Sequence, residues 1–389
     1  MKIRFAVSAF ISLWLAGSAY SAEVHPIKAG EKPIPDTTEA ELWYGMDQAE
    51  KNIRLSPYIV HDKALNAYVK DITCRVAGDY CPDLRLYIVD VPVFNASMAP
   101  NGVVLVFTGA LLRMQDEAEL ALVLSHEFAH YRQRHSLQGW QKQKKSAAFL
   151  AGFGVLTWAG GVGLVGSLAQ FAGLANMMQF SREMEREADK QGFAIAVALG
   201  YDPQAGSRLW QRMQREESAN VRAKYNPVFA SHPKTLERME DLAAAAAAYP
   251  TGTGQTFQTR YDEAMTPFLD HWLDQELSRR MYDSSIVVIG DLLDSARPDL
   301  LGMYEFYLGE AYRRRGQSGD NSRSAELYAK AVTREQTPAA AWRELGMAKA
   351  AEGQKREAID NLRLYLKKNP DAEDRQFVLA DITKLEKSP

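Results

Sequence analysis

"DEAELALVLSHEFAH", residues 116–130, decides how this chain is read. Good helix formers dominate it. Asp116, Glu117 and Glu119 sit where the positive end of a helix dipole favours acids. The stretch therefore reads as a helix. On a helix, residues four apart stand one above the other, so His126 and His130 aim two imidazoles at one point. Two imidazoles so placed suit a zinc ion bound at roughly 2.0–2.1 Å. Glu127 lies about 100° further round the axis, beside such an ion, where it can take a proton from water. The bland alternative is a pair of solvated histidines on a surface helix. Against it, the helix is apolar on nearly every side (Leu120, Leu122, Val123, Leu124, Phe128, Ala129). It belongs in the interior, where histidines and a glutamate need partners.

A zinc hydrolase keeps three protein donors and one open position. His135 follows His126 without the His-x-x-Gly-x-x-His continuation that would make it the third donor. Beside Arg132 and Arg134 it reads as a solvated residue. "SREMEREAD" (181–189) offers Glu183, Glu185 and Glu187 instead. At about 100° per residue, Glu185 shares a small, apolar face with Ala188, Asp189, Gly192, Phe193 and Ala196. Glu183 and Glu187 fall with Lys190 on the solvent side. A charged surface helix would explain those residues, but not Glu185 and Asp189. Glu185 is the expected third donor, and Asp189, one turn on, is expected to hold the far ring nitrogen of a ligating histidine.

These motifs together resemble the HtpX and CAAX-prenyl-protease type of zinc metallopeptidase. "NASMAPNGVVLVFTGALL" (95–112) and "SHPKTLERM" (231–239) carry the resemblance further, over roughly residues 40–245. It implies a zincin-type domain with a small β-sheet and endopeptidase activity on misfolded or membrane-associated proteins. It implies one Zn²⁺ per chain on His126, His130 and Glu185, with Glu127 catalytic and Asp189 in support. "VVLVFT" (103–108) is β-branched and aromatic, hence a strand. In such enzymes the strand beside the site receives extended substrate by backbone pairing. His232 has two functional readings, a hydrogen bond to the oxyanion or occupation of the open metal position. Its plain reading is a loop residue before a helix starting near Pro233. Arg238 is expected to order that loop rather than touch substrate.

Lys2 and Arg4, the apolar run Phe5–Gly17 and the small residues of "SAYSA" (18–22) read as a secretory signal peptide over 1–22. Its removal takes the net charge from −3 to −5. No basic patch dominates, and nucleic-acid binding has no support. Cys74 and Cys81, the two cysteines, have six residues between them. In an oxidising compartment a Cys74–Cys81 disulfide is expected, with two free thiols as the alternative.

With 46% hydrophobic and 24% charged residues, the chain has material for ordinary cores. "AAAAAAYPTGTGQT" (243–256) ends a helix and marks a break. The expected fold is α+β and mostly helical: a peptidase domain over 23–250, then an all-α tetratricopeptide-repeat domain over 256–389. Trp342, Leu345, Gly346, Gly353, Ala358 and Pro370 match that repeat's two-helix template. A second copy lies at 307–332, and a weaker unit around 268–299. Stacked repeats leave a concave surface suited to binding proteins.

Residues 146–181 carry no charge and join the two helices of the site. Three readings stay open: a membrane span, plain buried core, or a mobile apolar hairpin making peripheral contact with membrane or substrate. The order of signal, peptidase and repeats resembles family members of the Gram-negative periplasm. It implies unfolded or misfolded outer-membrane proteins as substrates and the outer-membrane β-barrel assembly machinery as partner of the repeats. The alternative is a repeat-based chaperone or assembly factor whose peptidase activity is minor or latent.

Overall fold

The computed structural model describes residues 24–143, 180–219 and 236–387. The fold is α+β and mostly helical. Helices α1 (Thr38–Arg54) and α2 (Lys63–Ala77) begin on oxygen caps: the Thr37 hydroxyl accepts from the Ala40 N–H and the Asp62 carboxylate from the Leu65 N–H. A Cys74–Cys81 disulfide ties the end of α2 to the tight turn that follows.

Strands β1 (Arg85–Val89), β2 (Ala96–Met98) and β3 (Val103–Phe107) form one sheet in the order β1-β3-β2. β1 runs parallel to β3, with Arg85 opposite Val103. β2 runs antiparallel to it, with Ser97 opposite Leu105. Every residue of β3 is buried, as its unbroken apolar run requires of a central strand.

β3 leads directly into α3 (Thr108–Arg113) and then α4 (Glu117–Arg132), which carries the two histidines. Asp116 caps α4 by accepting from the Glu119 N–H. The helix is buried nearly all round, and its acids have partners. Glu117 accepts from Tyr68, Tyr201 and Arg75 at 2.8–2.9 Å. Then come α5 (His135–Gln143), α6 (Arg182–Ala198), α7 (Ala205–Ala219) and α8 (Leu236–Ala247). α8 ends inside the polyalanine run, and Gly252 and Gly254 turn the chain at φ 84° and 77°.

Beyond the turn lie α9 (Gln258–Met265), α10 (Leu269–Ser278), α11 (Tyr282–Asp294), α12 (Leu301–Arg315) and α13 (Asp320–Ala331). α14 (Ala340–Ala351), α15 (Lys355–Lys368) and α16 (Arg375–Lys387) complete the chain. Gly346 lets α14 and α15 approach: a Cβ there would come within 2.8 Å of the Leu362 side chain. The core does not stop at the turn. One cluster of buried apolar side chains runs from Ile27 to Ile382. The Tyr261 hydroxyl donates to the Leu111 carbonyl at 2.5 Å. Buried Arg113 holds Glu216 at 2.7 and 2.8 Å and Glu276 at 2.9 Å. α3, α7 and α10 are thereby clamped together.

Among the described residues no helix is long and apolar enough to cross a membrane. The signal-peptide reading of 1–22, His232, and all of 146–181 except Phe180 and Ser181 lie outside the described residues.

Candidate metal centre

α4 and α6 pack side by side because Gly192 has no side chain. A Cβ on Gly192 would lie 2.8 Å from the His126 backbone nitrogen and 2.9 Å from its Cα. The Ser181 hydroxyl caps α6 by accepting from the Met184 N–H. The face expected to pack inward largely does so: Glu185, Ala188, Asp189, Gly192 and Ala196 are buried and Phe193 is half-buried, while Glu183, Glu187 and Lys190 are exposed.

This packing gathers three donors. His126 Nε2 and His130 Nε2 face each other at 3.1 Å. The two Glu185 carboxylate oxygens lie 3.6 Å away, one from each ring nitrogen. Among the described residues these three form a group able to hold a metal ion. A tetrahedral zinc site with bonds of 2.0–2.1 Å has donor–donor edges of about 3.4 Å. The observed edges scatter around that length, so the residues fit such an ion.

Each imidazole is also held from behind. His126 Nδ1 donates to Asp189 Oδ1 at 3.0 Å, the placement expected of Asp189. Arg238, from α8, donates to both Asp189 oxygens at 2.6 and 2.8 Å and lies 2.7 Å from Glu185 Oε2. Burial would raise the Asp189 carboxyl, but the hydrogen bonds from Arg238 and His126 outweigh it and hold its pKa at about 2. Arg238 thus does more than order a loop. It binds two carboxylates of the centre and borders the cleft above it. The contact joins residues 49 positions apart, and "SHPKTLERM" alone carries no trace of it.

His135 departs from expectation as well. It is not solvated but 1% exposed. Its Nδ1 meets His130 Nδ1 at 2.9 Å, and its Nε2 lies 3.4 Å from Glu187 Oε2. Burial pushes its imidazole below the usual value, with Glu187 pulling back only part of the way. Phe180 stacks on the His130 ring, centroids 4.0 Å apart.

Glu127 and His126 line a cleft. Trp210 and Met213 of α7 and Leu242 of α8 form its apolar wall, and Phe94, Asn95 and Ala96 its rim. The strand expected to receive substrate is corrected here. β3 is paired on both sides, to β1 and to β2, so it has no free edge. β2 is the edge strand beside the cleft. The Ala99 N–H donates to Val103 and the Phe107 N–H to the Asn95 carbonyl. Ser97, with Asn95 and Ala99 on either side of it, therefore turns to β3, and Ala96 and Met98 turn their backbone groups the other way.

Comparison with known proteins agrees with this geometry. Peptidase family M48 matches residues 57–246, the segment that contains the sheet, α4, α6 and Arg238. The mitochondrial metalloendopeptidase OMA1 of Schizosaccharomyces pombe is 34% identical over 182 residues, 45% of this chain and 51% of that protein. The beta-barrel assembly-enhancing protease of Yersinia pestis is 26% identical over 277 residues, 63% of this chain and 54% of that protein. The Escherichia coli K12 protein of the same name is 26% identical over 212 residues, 50% of this chain and 42% of that protein. The chain spans about half the length of these curated relatives. Over residues 57–246 the chain is similar to the metallopeptidases of family M48.

Proposed function

We propose that the chain is a zinc-dependent endopeptidase of the Gram-negative periplasm. It degrades misfolded or stalled outer-membrane proteins and supports their assembly. The observation that carries the reading is the donor triangle of His126, His130 and Glu185, whose His126 lines one cleft together with Glu127. Two imidazoles and one carboxylate with an open position favour zinc over harder ions. The substrate class and compartment rest on relatives named beta-barrel assembly-enhancing protease and on the signal-peptide pattern of residues 1–22.

Zinc, when bound, supplies a Lewis acid that polarises the scissile carbonyl and acidifies water. The chain supplies the rest. Glu127 takes a proton from the attacking water onto its carboxylate and returns it to the leaving amine. Asp189 and Arg238 hold His126 and Glu185 in place. The outer edge of β2 offers Ala96 and Met98 to an extended substrate backbone, a mode that reads shape more than sequence.

A second reading, an assembly factor with latent peptidase activity, draws on the C-terminal helices. A concavity lies there among Met303, Phe306, Tyr307, Pro338 and Tyr365. It is the proposed docking surface for the outer-membrane assembly machinery.

The test is degradation of an unfolded outer-membrane β-barrel protein by residues 23–389, beside Glu127→Gln, both supplied with zinc. Cleavage by the first and none by the variant is expected. Equal cleavage by both overturns the mechanism. Silence from both, with binding to the assembly machinery retained, leaves the second reading standing.

A further inference from the structure

On an uninterrupted helix, residues five apart lie about 140° apart around the axis. Their rings do not meet nitrogen to nitrogen. His130 and His135 do meet, because the helix between them is broken. α4 ends at Arg132, and two residues on Arg134 adopts a left-handed backbone, φ 54°. Arg134 is pinned in this turn by Glu31 and Glu39. The chain doubles back, and α5 opens with His135 turned onto the rear of His130.

The protons on this row of rings can be assigned in order. A neutral imidazole carries one N–H and one acceptor nitrogen. If His130 turns the lone pair of Nε2 toward His126 and Glu185, its proton sits on Nδ1. That N–H donates, so His135 Nδ1, 2.9 Å away, accepts. The proton of His135 is then on Nε2, which faces the Glu187 carboxylate at 3.4 Å. A carboxylate only accepts, so the His130–His135 and His135–Glu187 contacts each have one donor and one acceptor, and the Nε2 lone pairs of His126 and His130 are both left for a cation between them.

We infer that His135, steadied by Glu187, is a positioning residue that fixes His130 in its Nδ1–H tautomer and presents Nε2 to the metal. The inference rests on reading His126, His130 and Glu185 as metal donors. It divides the support of the two ligating rings. His126 leans on the Asp189 carboxylate. His130 leans on a neutral ring, with Phe180 covering one of its faces. Partners of this kind are worth about 10–100-fold in metal affinity.

The test uses residues 23–389 and zinc affinity measured by competition with a chelator, for the native protein, His135→Ala and His135→Asn. In His135→Asn the side-chain oxygen falls near the place of the lost Nδ1 and can accept from His130. His135→Ala should bind zinc about tenfold more weakly or worse, and His135→Asn should recover most of that loss. Nitrogen NMR of the zinc-loaded native protein, which needs no variant to fold, should show His130 protonated on Nδ1 and His135 protonated on Nε2. Equal affinity for the native protein and His135→Ala, an asparagine variant as weak as the alanine one, or an Nδ1–H tautomer at His135 overturns the inference. A native protein that takes up no zinc overturns the metal reading itself, and this inference with it.

Discussion

The backbone of His126 leaves no room for a side chain at position 192: a Cβ on Gly192 would lie 2.8 Å from its nitrogen. Two effects oppose each other in Gly192→Ala. Alanine favours the helix by about 1 kcal/mol. Crowding against backbone, which cannot swing aside, costs about 1–3 kcal/mol. The second should win. The variant should melt at a lower temperature and bind zinc more weakly, since α4 and α6 must part where the donors meet. Calorimetry with chelator competition reads both, and a melting temperature above that of the native protein would contradict the packing described.

Arg238 faces two buried carboxylates, Asp189 and Glu185. Arg238→Met leaves them without their cation when no metal is bound. The metal-free variant should lose about 3–5 kcal/mol. Zinc brings its own positive charge, so the loaded variant should lose less, and zinc should raise its melting temperature more than that of the native protein. Equal losses with and without zinc would sink the idea.

Asp262 borders a pocket between α3 and the C-terminal helices. Burial raises its pKa to about 6, with Arg297 offsetting part of the effect. The folded state then holds this proton more tightly than the unfolded chain. The stabilising contribution is complete below about pH 4 and lost as pH rises through about 6. Screening at a half-buried side chain limits the change to about 1–2 kcal/mol. Urea unfolding of the native protein and Asp262→Asn, both with chelator, should show their stability difference shifting by that amount between pH 4 and pH 7. A difference independent of pH would remove Asp262 as the cause.

The Cys74–Cys81 disulfide closes a short loop at the end of α2. Loop closure of that length is worth about 2 kcal/mol. Cys74→Ser with Cys81→Ser, and the native protein under reductant, should unfold at the same lowered denaturant midpoint. A native protein indifferent to reductant would mean the link adds nothing.

The parts legible in the sequence follow from regular periodicity. An all-round apolar helix had to be buried, and the phase of α6 put Glu185 and Asp189 on the side toward it. The parts that were not legible depend on irregular backbone or distant pairing. His135 reaches His130 only because Arg134, a non-glycine residue, takes a left-handed turn. Arg238 is fixed by partners on another helix. β2 is three residues long, too short to announce itself, so the edge role fell to the more conspicuous β3. The weak point at 243–256 is visible as composition, whereas the contacts that cross it are made by side chains far apart in the chain.

Those contacts bear on inheritance. Arg113 shares its charge between Glu216, on the helix that walls the cleft, and Glu276, far along the C-terminal region. A gene fusion that exchanged everything after residue 256 would take away Glu276 and leave buried Arg113 with Glu216 as its one remaining carboxylate beneath the wall of the cleft. The two regions are therefore poor interchangeable modules. Change on one side of the boundary must be matched on the other, and the peptidase part and its helical partner are bound to diverge together.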